Sequence, residues 1–188
     1  MEGKLIIFSA PSGSGKTTIV KKLLAMGLPL SFSISATSRS RRKGEQDGKD
    51  YYFFSVEEFK QKIQQDAFLE WEEVYDNQYY GTLKSELDRI WRQNKHVVFD
   101  VDVKGGINIK NKYPCQSLSV FIMPPSLEEL KNRLLKRGSE TESSLKHRLD
   151  KASYEISFAG QFDKIIKNDD LEQAVQETSN AIIEFLQK

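Results

Sequence analysis

The sequence predicts an α/β fold, a doubly wound parallel sheet with helices on its faces. Three observations carry that reading. Short apolar runs of strand length recur at 5–8, 97–99 and 118–123, with a further one at Lys164-Ile165-Ile166, as in strands covered on both faces. Each is followed by a helical pattern, and strands that alternate with helices favour parallel pairing. The first run also enters a Pro/Ser/Gly loop at 10–15 before its helix.

Taken in order, the first helix shows Ile19, Val20, Leu23 and Leu24 at helical spacing, and Gly27 with Pro29 stops it. The run 97–99 ends in Asp100-Val101-Asp102. The run 118–123 is stopped by Pro124-Pro125. Ser126 with Glu129 then forms a capping box ahead of Leu127, Leu130, Leu134 and Leu135. Asp170 with Gln173 caps the last helix, whose apolar side is Leu171, Ala174, Val175, Ile182, Ile183 and Leu186. Two stretches break the alternation. Residues 31–82 are polar and rich in Arg, Tyr and Glu, with one short helix opened by Ser55 and Glu58, and read as an inserted small mixed subdomain. Residues 138–145 hold Gly, Ser, Thr and Glu with little apolar content, and read as a mobile loop. Trp71, Trp91 and most of the aromatic stretch 51–54 are expected in the core. Cys115 and His147 are expected to have no role.

Composition excludes several function classes. The 188 residues carry 28 Lys+Arg and 27 Asp+Glu, a net charge of +1, which lacks the basic excess of a nucleic-acid coat. The single cysteine, Cys115, rules out an intramolecular disulfide and a Cys-cluster zinc site. Two histidines leave little for a His-based metal site or a Ser-His-Asp triad. No apolar run approaches the ~20 residues of a membrane span, and the start lacks the features of a signal peptide. The expectation is a cytoplasmic protein with neither nucleic acid nor membrane as partner; oligomeric state is left open.

The strongest local signal is Ala10-Pro11-Ser12-Gly13-Ser14-Gly15-Lys16-Thr17. It matches the phosphate loop G-x-x-x-x-G-K-[ST] except for Ala10 at the first position. A buried strand before it and a helix after it supply the required context. Gly13 and Gly15 let the backbone N–H groups wrap around phosphate oxygens at a helix N-terminus. Lys16 can reach the β- and γ-phosphates, and Thr17 offers a hydroxyl to Mg²⁺. Asp100, at the end of a buried strand, is suited to hold Mg²⁺ directly or through water. Asp102 is also placed to cap the segment that follows it. No Asn/Thr-Lys-x-Asp guanine motif follows, which argues against a GTPase.

The inserted segment narrows the chemistry. Arg39, Arg41, Arg42 and Lys43 put four cations within five residues, and Tyr51, Glu70 and Tyr79-Tyr80-Gly81-Thr82 follow. Arginine grips a phosphate monoester with two parallel bonds. Glu70 lies in Phe68-Leu69-Glu70-Trp71, an apolar setting where a carboxylate needs donors.

At these residues the chain resembles the guanylate kinase family over essentially its whole length. The likeness includes 9–16, the Thr-x-Arg-x-x-Arg-x-Gly-Glu run at 37–45, Gly48-Lys49-Asp50-Tyr51-Tyr52-Phe53, Glu70-Trp71 and Tyr79-Tyr80-Gly81. It continues through Asp100-Val101-Asp102, Pro124-Pro125-Ser126, Arg137-Gly138 and Asn168-Asp169-Asp170. The resemblance implies a P-loop NTPase-type parallel sheet with an inserted GMP-binding subdomain and a mobile lid. The core would comprise about 1–34, 83–137 and 149–188, the insertion about 35–82 and the lid about 138–148.

It also implies transfer of the γ-phosphoryl group of ATP to GMP or dGMP, with Mg²⁺. Ser12, Gly13, Ser14, Gly15, Lys16, Thr17 and Thr18 would hold ATP phosphates, and Asn168 would touch adenine. Arg39, Arg42, Tyr51 and Tyr80 would hold the GMP phosphate. Glu70 and Asp102 would accept from guanine, while Ser35 and Thr82 donate to O6. Lys16, Arg42, Arg133, Arg137 and Arg148 would stabilise the transferring group, and substrates would drive closure. The acceptor oxygen is already anionic, so no general base is required. Two alternatives stand beside this reading: a non-catalytic module of the same fold that binds phosphopeptides, and a kinase for another nucleoside monophosphate. The complete phosphate loop and the arginines oppose the first, and Glu70 with Asp102 opposes the second.

Overall fold

A computed structural model of the chain describes residues 3–136 and 142–188. In chain order the elements are β1 (Leu5–Ser9), α1 (Lys16–Ala25), β2 (Leu30–Phe32), β3 (Ala36–Thr37), β4 (Tyr52–Phe53) and α2 (Val56–Gln64). Then come β5 (Phe68–Tyr75), β6 (Gln78–Leu83), α3 (Lys84–Trp91), β7 (His96–Asp100), α4 (Val103–Lys112) and β8 (Ser117–Met123). The last are α5 (Leu127–Lys136), α6 (Glu142–Ser157), a 3-10 turn (Ala159–Gln161), β9 (Lys164–Lys167) and α7 (Leu171–Gln187). Two sheets form, one of five strands in the order β2-β7-β1-β8-β9 and one of four in the order β4-β3-β6-β5. The chain divides into two compact units, one holding 29–98 and the other 4–28 with 99–188.

In the second unit, β1 pairs in parallel with β8, from Leu5 opposite Ser117 to Ser9 opposite Phe121, and β8 pairs in parallel with β9. All five residues of β1 are buried. Each large aliphatic or aromatic side chain so buried contributes about 1.5–3 kcal/mol, which is why an unbroken apolar run forms a covered strand. Helix α4 packs on β1 and β8, and α7 on α1, β8 and β9. Val103, Phe121, Ala159 and Phe162 form one core cluster, and Leu130, Leu134, Leu145 and Ala152 another. Helix α7 starts at the expected cap, where the Gln173 N–H donates to Asp170 Oδ1 at 2.8 Å.

Two apolar expectations need correction. In β9 only Ile166 is buried; Ile165 is 49% exposed, because β9 is the edge strand and one of its faces lies open. Ile183, assigned to the apolar side of the last helix, is 38% exposed. The 126–129 cap forms only in part as expected. The Glu129 N–H donates to Ser126 Oγ at 3.0 Å, but the Glu129 carboxylate accepts from Arg133 Nε at 3.0 Å.

In the first unit, β5 and β6 form an antiparallel hairpin, β3 joins β6 antiparallel and β4 joins β3 in parallel. β2 pairs in parallel with β7. The core is aromatic: the ring of Phe59, on α2, stacks on Phe68 at 4.3 Å and on Tyr79 at 5.5 Å. Both halves of the Ser55–Glu58 capping box are present. Gly81 sits where β6 passes β5 so closely that a Cβ would lie 2.6 Å from the Glu70 carbonyl oxygen. Trp71, expected in the core, is 44% exposed. From Glu70 onward β5 alternates half-buried and exposed residues, after a register shift between Phe68 and Glu70, and Trp71 falls on the exposed side.

Candidate active site

The phosphate loop closes on its own backbone. Gly13 and Gly15 take φ of 96° and 93°, values that residues with a Cβ rarely adopt. Ala10 is not among the positive-φ residues, so its Cβ brings no backbone strain. The Ser14 N–H and Oγ both donate to the Pro11 carbonyl, at 3.1 and 2.6 Å. The Thr18 and Ile19 N–H groups donate to the Gly15 carbonyl and start α1.

A cavity of about 330 Å³ opens over this loop. Lys16, Thr17, Thr18, Asp100 and Asp102 all line it, and so does Glu155, which sequence reasoning did not single out. Lys16 is ion-paired with Asp100 and donates to the Val101 carbonyl at 3.2 Å. Asp102 is the N-cap of α4: its carboxylate accepts from the Gly105 N–H at 2.7 Å. Arg148 Nη1 donates to Ser12 Oγ at 3.1 Å. Arg133 Nη2 donates to the Asn168 carbonyl at 3.2 Å. Arg137, and 138–141 of the expected lid, lie outside the described residues.

Asn168 is only 5% exposed, and its side-chain amide donates to the Ser14 carbonyl at 2.6 Å. That amide buttresses the phosphate loop from below. The sequence reading singled out Asn168 for adenine, through the resemblance, and gave no sign of this bond to the loop.

The first unit gathers a second group. Two residues apart on β6, Tyr80 and Thr82 share a face, and Glu70 on β5 lies opposite Thr82. Buried Thr82 donates from Oγ1 to Glu70 Oε1 at 2.8 Å. The Tyr51 and Tyr80 rings meet edge to face at 6.2 Å, and the Arg39 guanidinium stands 5.0 Å over the Tyr51 ring. Arg39 is also gripped by Glu45 through two parallel bonds of 2.7 and 2.6 Å. Those bonds, with the Arg42 N–H, hold the Glu45 carboxyl down to about 2 and raise Arg39 further above its ordinary value. The Arg42 N–H donates to Glu45 Oε2 at 2.8 Å, leaving its exposed side chain pointing elsewhere than into that bond. Ser35 lies half-buried just before β3. The structure therefore brings Arg39, Tyr51 and Tyr80 together, and Glu70 with Thr82.

Among the described residues, no group of three or more His, Cys, Asp and Glu is spaced to hold a metal ion. That donor set, a hydroxyl and a carboxylate at a phosphate loop, fits Mg²⁺, which keeps several waters and leans on substrate phosphates. No helix among the described residues is long and apolar enough to cross a membrane.

Comparison with known proteins places the chain in a family. The guanylate kinase family model matches residues 2–185. The chain is 53% identical over 188 residues to the guanylate kinase of Bacteroides thetaiotaomicron, covering 100% of this chain and 92% of that one. It is 52% identical over 186 residues to that of Porphyromonas gingivalis, covering 98% and 99%. A crystal structure of guanylate kinase from Anaplasma phagocytophilum superposes with a TM-score of 0.78 at 30% identity, covering 99% of this chain and 87% of that one. Matched by that family model across residues 2–185 and 53% identical to a curated member over its whole length, the chain belongs to the guanylate kinase family.

Proposed function

We propose that the chain transfers the γ-phosphoryl group of ATP to GMP, and to dGMP, in the cytoplasm, giving ADP and GDP or dGDP. An oxygen of the acceptor phosphate forms a bond to Pγ, the bond from Pγ to the β-phosphate oxygen breaks, and ADP leaves with that electron pair. The choice of acceptor rests on Glu70, whose carboxylate is bonded to Thr82 Oγ1 in the same unit as Arg39, Tyr51 and Tyr80. A carboxylate only accepts, which suits the guanine N1–H and 2-amino donors. Adenine has a lone pair at N1 and would leave Glu70 unpaired. When guanine binds, Thr82 turns its hydroxyl to O6, with Ser35 beside it, and frees Glu70 for the base. Asp102 adds an acceptor for the 2-amino group.

Arg39, Arg42, Tyr51 and Tyr80 hold the acceptor phosphate. Lys16 leaves Asp100 for the β- and γ-oxygens, and the N–H groups of 12–18 cradle the donor. Arg133, Arg137 and Arg148 neutralise charge on the transferring group. Asn168 sets the loop and meets the adenine. Mg²⁺, held at Thr17 and Asp100, supplies charge neutralisation on the donor phosphates when bound. Positioning and electrostatics are the whole of the chemistry, so the scarcity of histidine is no obstacle.

Lys16→Ala tests the reading. GMP-dependent release of ADP should fall by at least about 10²-fold, while calorimetry still detects GMP. Unchanged turnover would contradict it.

A further inference from the structure

Three carboxylates face the cavity over the phosphate loop, and two have donors. Asp100 holds Lys16, and Asp102 caps α4. Glu155, near the end of α6, is the third. It is 7% exposed and lines the same cavity. Its nearest described cation, Lys151 Nζ, stands 3.9 Å from Oε1, beyond hydrogen-bond length, and is itself half-exposed. Burial raises the Glu155 pKa, with Lys151 and Lys16 pulling it back and Asp102 adding to the rise.

A carboxylate buried without a bonded donor is a cost to folding. It also repels the phosphates that the loop beside it is built to hold. The position makes sense when the bound species carries a positive charge or water donors on that side. Outer partners of this kind typically change metal affinity by 10–100-fold. We propose that Glu155 accepts hydrogen bonds from water held by the divalent cation that enters with the nucleotide, as a positioning residue in the cavity that Asp100 also lines. The proposal rests on the phosphoryl-transfer reading above. It asks nothing of a direct metal bond, in keeping with the absence of a three-ligand cluster among the described residues.

The test is calorimetry of a non-hydrolysable ATP analogue, with Mg²⁺ and again in EDTA, on the wild type, Glu155→Gln and Lys151→Ala. Glu155→Gln should weaken binding with Mg²⁺ by about tenfold. Its affinity in EDTA should be equal or higher, and its melting temperature no lower than that of the wild type. Lys151→Ala should keep the gain from Mg²⁺. The proposal is overturned if Glu155→Gln changes both affinities equally or neither, if it melts lower, or if Lys151→Ala reproduces it, since Glu155 would then be a structural partner of that lysine. Wild-type ADP release with GMP separates the two readings. Normal turnover with an unchanged Mg²⁺ gain in Glu155→Gln defeats only the assignment of Glu155. Mg²⁺-dependent binding without GMP turnover defeats the proposed function and leaves Glu155 standing.

Discussion

Asn168 and Glu86 show what one buried polar side chain does. The Asn168 amide is the prop beneath Ser14, so Asn168→Ala should orphan that carbonyl at about 1–3 kcal/mol. At about 2–4 °C per kcal/mol for a chain of this size, a melting curve will show it, and ATP should bind more weakly. Glu86 on α3 is 1% exposed and accepts from the Ile34 N–H at 2.7 Å, Tyr52 Oη at 2.9 Å and Arg89 at 2.7 and 2.8 Å. Burial alone would push its carboxyl up, yet these bonds hold it below its ordinary value. The stability it contributes is therefore full above the unfolded-state pKa and is lost as pH falls through the lower folded value. Glu86→Gln should cost about 3 kcal/mol at neutral pH, and the gap to wild type should close on acidification; a gap that stays constant with pH would refute the assignment. Neither role was legible beforehand, because partners drawn from distant segments, Ser14 for Asn168 and Ile34 and Tyr52 for Glu86, leave no spacing in the chain. Glu70 was legible, because a carboxylate between Leu69 and Trp71 is conspicuous. Glu70→Gln should lower the ratio of GMP to AMP turnover by about tenfold to a hundredfold, and an unchanged ratio would remove Glu70 from base reading.

Elements were readable where one local rule dominates. β1 and β8 are continuous apolar runs, and the caps at Ser55 and Asp170 form as their spacing requires. Ser55→Ala should therefore cost about 1 kcal/mol, measurable as a lowered melting temperature with GMP turnover retained. The hairpin of β5 and β6 was not resolved beforehand. β5 alternates half-buried and exposed residues from Glu70 onward, but Glu70, Glu72 and Glu73 dilute any apolar alternation. Its two-residue turn relies on Asn77 in the left-handed region, φ 56°, an option asparagine tolerates. Trp71 was misjudged for a related reason: size argued for burial, whereas the strand's period decides the face.

At the scale of the molecule, the +1 total conceals a division of labour. Lysine and carboxylates collect at the phosphate loop in one unit, and arginine, tyrosine and glutamate on and beside the strands of the other. The sequence order of these blocks made the fold class and the family legible. The ion pairs they form were not: Lys16 on Asp100, and Arg39 on Glu45. Such pairings depend on which chain segments meet, and no spacing in the sequence announces them. The most direct measurement is the initial rate of ADP formation from Mg-ATP with GMP, dGMP, AMP, CMP and UMP in turn. GMP and dGMP should drive turnover, with AMP slower by about 10⁴-fold. ADP release that no nucleoside monophosphate stimulates, or that AMP stimulates as well as GMP, would contradict the account.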